Sequence, residues 1–157
     1  MARYDMWIHG VTAMVEWPYL TTEIRHTGFG TIVKQPAGTE NWLHLTMPVP
    51  TIIDDDAEVA ATRIAFKATL NENARIKEVH VRMGTEVISA KAVDWGGDDV
   101  NQQINLGGEF HTPGFAHGDL PIRHADAPLA LCLKVEFLDG ALPGEICLRG
   151  AGASFDE

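Results

Sequence analysis

Apolar and polar residues alternate along most of the chain with a period of two, which is typical of β-strands that bury one face. The most regular alternation covers Leu129–Phe137, where Leu131, Leu133 and Val135 share one face and Cys132 lies on the other. Similar stretches, separated by glycine, proline and other turn residues, cover residues 5–16, 21–26, 29–34, 41–47, 62–70, 77–83, 86–93, 100–106 and 145–149. About ten short strands between turns predict an all-β fold, an antiparallel β-sandwich of the jelly-roll type.

The length of the chain predicts one domain. Its 157 residues fit a single β-sandwich domain spanning 1–157, because domains typically contain about 100–200 residues. Gly10 lies inside the first alternating stretch, where it predicts a β-bulge. The one candidate helix covers residues 54–61, where Asp54, Asp55 and Asp56 would cap a short turn.

The chain carries an excess of negative charge, with 12 Lys and Arg residues against 22 Asp and Glu residues and a net charge of −10. Nucleic acids and anionic membranes bind clustered positive charge, so this composition argues against both partners. No apolar run approaches the roughly 18 residues of a transmembrane helix, and residues 1–5 do not resemble a signal peptide. Two cysteines do not make a disulfide framework. We therefore expect a cytoplasmic protein.

A tryptophan lies two residues before a histidine in two predicted strands, Trp7 and His9 in the first and Trp42 and His44 in the fourth. Residues two apart in a strand project to the same face, so each pair places an indole beside an imidazole. If the two strands are neighbours, the four side chains form one ligand-binding patch for a sugar or another planar ring, or for a metal. The alternative is aromatic packing, with each histidine hydrogen-bonded to a backbone carbonyl. We predict that the four side chains cluster in space.

The segment 107–128 is rich in glycine and proline and contains three histidines. A long irregular segment in a compact domain is often a binding loop, and we expect a surface loop here with a short strand at 109–111. Glu109 and His111 share a strand face, and with His117 or His124 they form a candidate ligand set for a divalent metal. The alternative, without any cofactor, is a solvated loop whose histidines satisfy backbone groups or face a partner subunit.

Several catalytic motifs are missing from the sequence, among them the G-x-S-x-G nucleophile elbow, the P-loop and the H-E-x-x-H zinc motif. We therefore expect a non-catalytic binding domain whose Trp/His face or histidine-bearing loop recognises a small molecule, a glycan or a protein partner. A small enzyme that uses these histidines, with a metal or as acid–base groups, is one alternative. A structural subunit of a homo-oligomer is the other.

Asp139 and Gly140 form a typical two-residue turn between the last two predicted strands. With this turn at the tip of a hairpin, apolar residues of the two strands face each other and Cys132 pairs with Cys147. We expect both thiols to be reduced and to lie side by side on the outward face. Pro143 argues against this register because it cannot donate a ladder hydrogen bond, and a wider loop is the alternative.

Four short motifs stand out along the chain: Trp7-Ile8-His9-Gly10, the turn Gly28-Phe29-Gly30, the segment Asn41-Trp42-Leu43-His44 before Pro48-Val49-Pro50, and Gly150-Ala151-Gly152. With these motifs the chain resembles a family of small uncharacterised bacterial proteins, each a single β-domain. The resemblance implies a compact β fold and points to no catalytic residue.

Overall fold

The computed structural model describes residues 3–49, 60–111 and 128–156. These residues form eleven strands: β1 (Arg3–His9), β2 (Met14–Val15), β3 (Glu23–Thr27), β4 (Gly30–Gln35), β5 (Thr39–Met47), β6 (Ala60–Leu70), β7 (Ala74–Met83), β8 (Glu86–Trp95), β9 (Val100–His111), β10 (Leu129–Phe137) and β11 (Gly144–Asp156). Two short 3-10 turns, Gly10–Thr12 and Pro18–Leu20, are the helical elements of the described part. No helix within these ranges is long and apolar enough to cross a membrane.

The strands form two antiparallel sheets. One sheet has the order β3-β4-β11-β6-β9, with β1 also paired to β11, and the other has the order β2-β5-β10-β7-β8. Strand β11 pairs with β4 through its first half and with β1 through its second half, while β6 lies along its other edge. The predicted antiparallel β-sandwich of the jelly-roll type is confirmed.

The core lies between the two sheets and is formed by the inward half of each alternating strand. In β10, Leu131, Leu133 and Val135 are fully buried, and Ile146 and Leu148 of β11 are buried on the facing sheet. Burying such a side chain stabilises the fold by about 1.5–3 kcal/mol. The period of two in the sequence therefore arises from strands that each place one face in this common core.

Gly10 lies at a corner of the sandwich. Strand β1 ends at His9, the chain turns through Gly10–Thr12, and β2 then joins the opposite sheet. The turn packs so closely on β11 that a β-carbon at Gly10 would overlap the carbonyl oxygen of Leu148. The carbonyl of Gly10 accepts a 2.7 Å hydrogen bond from the buried hydroxyl of Thr31. The predicted bulge at Gly10 is therefore wrong, because the glycine serves a crossing between sheets.

The predicted hairpin between the last two strands is also wrong. Strand β10 belongs to the five-stranded sheet and β11 to the six-stranded sheet, so the chain crosses the sandwich between them. Cys132 pairs with His44 and His80, whereas Cys147 pairs with Ile32 and Thr69. Both thiols are free, as expected, but they face outward from different sheets and are not neighbours.

Asn73 holds the crossing between β10 and β11. Its backbone carbonyl accepts a 2.8 Å hydrogen bond from Leu138, and its side-chain amide donates to the carbonyl of Leu142 at 2.9 Å. The carbonyl of Pro143 accepts a further hydrogen bond, from Asn71 at 2.9 Å. These bonds replace the ladder that a hairpin would need, and they satisfy the backbone at a proline that cannot donate.

Two further predictions concern segments that lie partly outside the described residues. Ala60 and Ala61, placed at the end of the predicted helix 54–61, instead begin strand β6, and residues 54–59 lie outside the description. The predicted strand at 109–111 is confirmed as the end of β9, where Ala61 pairs with Phe110 and Ala60 with His111. The loop prediction is wrong for Gly107 and Gly108, which lie within β9, and residues 112–127 of the predicted loop lie outside the described residues.

Replacing Gly10 by alanine is expected to destabilise the fold by about 1–3 kcal/mol, because the new methyl group meets backbone atoms of β11 that cannot move aside. Urea unfolding would measure the loss. Gly28→Ala is the matched control, since a β-carbon at Gly28 meets no atom within 4 Å, and its effect should stay within about 0.5 kcal/mol. Equal effects of the two substitutions would contradict the close packing.

Oxidation of the native protein is expected to leave Cys132 and Cys147 unlinked within the chain. The two thiols face out of opposite sheets, which pack about 10 Å apart, whereas a disulfide requires α-carbons within about 7 Å. Treatment with copper phenanthroline, followed by peptide mapping without reductant, tests this expectation. A disulfide between these two cysteines would restore the hairpin that the turn sequence predicts.

Candidate functional site

The two Trp/His pairs lie on opposite sides of the sandwich. Strand β1 carries Trp7 and His9 on the outer face of the six-stranded sheet, and β5 carries Trp42 and His44 on the outer face of the five-stranded sheet. Within each strand the two residues share a face, as predicted. The single patch of four side chains is wrong, because the crossing at Gly10 separates their strands into different sheets.

Trp42 is packed among its neighbours. Its ring centroid lies 6.5 Å from that of His44, with the rings nearly parallel, and 4.8 Å from that of His80. Between these two histidines, in register, lies Cys132, which is only 3% exposed although it faces outward. The half-buried indole belongs to an aromatic cluster, which is the packing alternative for this pair.

Charged groups around this cluster are paired with one another. Glu16 lies 2.7 Å from Nε2 of His44, and Lys134 lies 3.2 Å from Glu78. The hydrogen bond to Glu78 raises the pKa of Lys134. Burial raises the pKa of the Cys132 thiol, so this thiol stays protonated and is a poor nucleophile. The charged groups around Trp42 are therefore largely paired with one another.

Trp7, in contrast, is 56% exposed. Its indole lies over Gly152, where a β-carbon would come within 2.6 Å of the ring atom Cδ2. Glycine is therefore required beneath the ring, because any side chain there would push the indole away from the sheet. The sequence thus fixes the indole against the backbone and leaves much of it to solvent.

The strands around Trp7 arrange outer-face residues in rows that cross β1, β11, β6 and β9 in that order. One row is Trp7, Gly152, Ala65 and Gln103, and the next is His9, Gly150, Lys67 and Asn101. The first row has an aromatic side chain at one end and small residues at its centre. The second row offers side chains with nitrogen donors. This arrangement places hydrogen-bonding groups beside an exposed apolar ring.

A cleft of about 320 Å³ lies along these rows, lined by Trp7, Ile8, His9, Lys67, Arg149 and Gly150. We call it the Trp7 cleft. Nζ of Lys67 lies 6.0 Å from the centre of the Trp7 ring, at the outer limit of a cation–π contact. The combination of a few directed polar groups and an aromatic wall is typical of small-ligand sites.

Arg149 lies at a β-bulge beside the cleft. The register between β11 and β6 shifts between Leu148 and Gly150, so Arg149 has no partner on β6. A bulge inserts one extra residue and redirects side chains locally. As a result, two consecutive residues of β11, Arg149 and Gly150, both line the cleft.

His9 positions the cleft and has both ring nitrogens occupied. Nδ1 accepts a 3.0 Å hydrogen bond from the backbone N–H of Val11, so the proton of the neutral ring lies on Nε2. That nitrogen donates to the carbonyl of Gly28 at 3.2 Å. His9 therefore matches the alternative in which the histidine is hydrogen-bonded to backbone groups. Its hydrogen bond to Gly28 connects the end of β1 to the turn before β4.

Asp5 forms a compensated network two residues before Trp7. The hydroxyl of Ser154 donates to its carboxylate at 2.5 Å, and Arg3 and Arg63 lie 3.3 and 3.8 Å from the same oxygen. The Ser154 hydrogen bond and then the arginines hold the pKa of Asp5 below its usual range. This carboxylate is ionised, and the guanidinium groups of Arg3 and Arg63 balance its charge beside the Trp7 cleft.

The candidate metal ligands fall mostly outside the described part of the structure. Glu109 and His111 lie on the final residues of β9, but their side chains are not described, and His117 and His124 lie in the undescribed segment. Within residues 3–49, 60–111 and 128–156, no group of three or more His, Cys, Asp or Glu side chains is arranged to hold a metal. The metal site stays a prediction.

The sequence analysis missed Lys67, Arg149 and Gly150. The alternation in its strand predicts only that Lys67 faces outward. No local sequence feature shows that this strand lies next to β11. The alternation in Gly150-Ala151-Gly152 was the available indication, because two glycines on one face of a strand mark a place where another group approaches the backbone.

Solved structures of similar shape include several carbohydrate-binding modules. The xylan-binding module CBM15 has a TM-score of 0.53 and 9% identity, and the match covers 99% of both chains. TmCBM61, solved with β-1,4-galactotriose, has a TM-score of 0.49 and 13% identity, with 95% of this chain and 91% of its own covered. The CBM36-1 domain of a multidomain xylanase from the hindgut metagenome of Trinervitermes trinervoides has a TM-score of 0.48 and 14% identity, with 96% of each chain covered. The likeness to CBM15 shows a shared β-sandwich fold.

Sequence comparison places the chain in a family without an assigned activity. No curated protein has significant sequence similarity to it. The model of the family of unknown function DUF6623 matches residues 1–142, in agreement with the resemblance drawn from the sequence motifs. Because the match covers most of the 157 residues, the chain belongs to the DUF6623 family.

Proposed function

We propose that this protein is a non-catalytic binding domain that recognises a glycan through the Trp7 cleft. The observation that carries the proposal is the indole of Trp7, 56% exposed at the wall of a cleft on the outer face of the six-stranded sheet. Stacking a sugar ring on this indole would remove apolar surface from water, which is favourable. The cleft would hold one or two sugar rings at this size.

The surroundings of Trp7 support a binding role because they hold the indole before any ligand arrives. Strand β1 is paired with β11 along its whole length, and Gly152 fixes the depth of the ring. His9, with both ring nitrogens bonded to backbone groups, fixes the end of the strand. Preorganised groups lose little conformational entropy on binding, so more of the contact energy contributes to affinity.

Polar side chains around the indole could recognise the hydroxyl groups of a sugar. Lys67 and Arg149 line the cleft itself, while Asn101 and Gln103 are exposed on the neighbouring strand β9. Nitrogen donors and amide groups near an apolar platform match the two surfaces of a pyranose, which has an apolar face and a polar edge. The same platform would also suit another small planar molecule or a protein side chain, which the test below separates from a glycan.

The fold shared with CBM15 supports a binding role. CBM15 shares the sandwich architecture over its whole length and is, by its name, a xylan-binding module. A domain of this architecture is therefore compatible with glycan recognition without catalysis. The choice of the Trp7 cleft rests on the exposed indole and on its neighbours in this chain.

Trp7→Ala is expected to weaken glycan binding by about 2 kcal/mol or more, roughly 30-fold in Kd, because tryptophans at the centre of a binding site often contribute this much. A glycan array would first identify bound oligosaccharides, and titration calorimetry would then compare the wild type and the variant. Circular dichroism during heating would confirm that the variant is folded at the temperature of the titration.

Tyr19→Ala is the matched control, because Tyr19 is 79% exposed and does not line the cleft. This variant should bind as the wild type does. Unchanged affinity of Trp7→Ala for every bound oligosaccharide would contradict the proposed site. Absence of any glycan binding by the wild type would contradict the proposed function.

A further inference from the structure

We infer that the Trp7 cleft selects an acidic sugar, a pyranose that carries a carboxylate group. This inference rests on the proposed function and names the substrate class of the same site. Its basis is the charge of the cleft: Lys67 and Arg149 line it as cations, and no Asp or Glu is among the described residues that line it. The chain as a whole has a net charge of −10, so this local charge is opposite in sign to that of the protein.

The two cations of the cleft differ from most other lysines and arginines in the described part of the chain. Lys34 lies 3.0 Å from Glu23, and Arg75 lies 2.9 Å from Asp94. Lys67 and Arg149, in contrast, have no carboxylate within ion-pair distance among the residues that the structure describes. An acidic ligand would provide the carboxylate partner that the described residues do not provide.

The negative charge of the rest of the protein does not cancel this attraction. Asp5, two residues from Trp7 on the same face, is already paired with Arg3 and Arg63. Charges farther away are screened over a Debye length of about 8 Å at physiological ionic strength. Among the residues that the structure describes, Lys67 and Arg149 therefore contribute most of the field that a ligand meets inside the cleft.

The positions of the cations suit a carboxylate on a stacked sugar ring. Lys67 lies in the row next to Trp7, with its Nζ 6.0 Å from the ring centre, so it can reach a group at the edge of a sugar stacked on the indole. Arg149 offers a planar guanidinium, which binds carboxylates through two parallel hydrogen bonds. Arg149 lines the cleft at the bulge in β11.

The test begins with a glycan array that contains neutral, carboxylated and sulfated oligosaccharides, probed with the wild type and with Trp7→Ala. We expect Trp7-dependent binding of carboxylated glycans. Titration calorimetry would then compare the best of them, for instance an oligogalacturonate, with its methyl ester, which keeps the sugar and removes the charge. The ester should bind at least tenfold more weakly, because charge-assisted hydrogen bonds are lost.

Charge-removing variants complete the experiment. The double variant Lys67→Gln and Arg149→Gln should lose the same tenfold preference for the acid over its ester and should still bind the ester. Lys91→Gln is the control, because Lys91 is an exposed cation on β8 of the other sheet. It should behave as the wild type, and circular dichroism during heating would confirm that all three proteins are folded.

The outcomes separate the inference from the proposed function. Equal binding of acid and ester, Trp7-dependent binding of neutral or sulfated glycans alone, or an unchanged preference in the double variant would overturn the acidic-sugar inference. In each of these cases Trp7-dependent glycan binding would still support the proposed function. A wild type that binds no glycan on the array would overturn both.

Discussion

The structure depends on the irregularity at Arg149 in the long strand β11. Before it, β11 pairs with β4, and after it, β11 pairs with β1, so two strands lie end to end along one edge. The turn at Gly10 packs on the carbonyl of Leu148, between the two halves of β11. The buried hydroxyl of Thr31 on β4 donates a hydrogen bond to the carbonyl of Gly10. At the same place the register against β6 shifts by one residue, so that Arg149, which has no partner on β6, and Gly150 both line the cleft.

The two tryptophans have different environments because different residues surround them. Gly152 under Trp7 keeps the indole close to the sheet, and much of the ring stays exposed. Around Trp42, the imidazoles of His44 and His80 pack against the indole, and the buried Cys132 lies between these two histidines in register. The same W-x-H spacing therefore gives a candidate binding platform on one sheet and a packed aromatic cluster on the other.

The alternation of apolar and polar residues predicted the strands well and their pairing poorly. Strand Leu129–Phe137 was predicted residue for residue, because its pattern records burial of one face and nothing else. The hairpin of Cys132 with Cys147 failed for the same reason: two half-buried strands match equally well side by side or facing each other across a core. The hydrogen bonds of Asn73 stabilise the crossing between the sheets, and the sequence pattern does not show them.

The candidate site was predictable only in part. The shared face of Trp7 and His9 follows from strand geometry, but Lys67 reaches them across β11 and Arg149 reaches them through a bulge, and neither relation is local in sequence. The most direct test of the site is nuclear magnetic resonance of the 15N-labelled protein titrated with the glycan that it binds best. The account predicts shifts of the Trp7 indole N–H and of the Gly150 and Gly152 amides, with the Trp42 indole unchanged. Shifts centred on Trp42, with Trp7 unaffected, would contradict it.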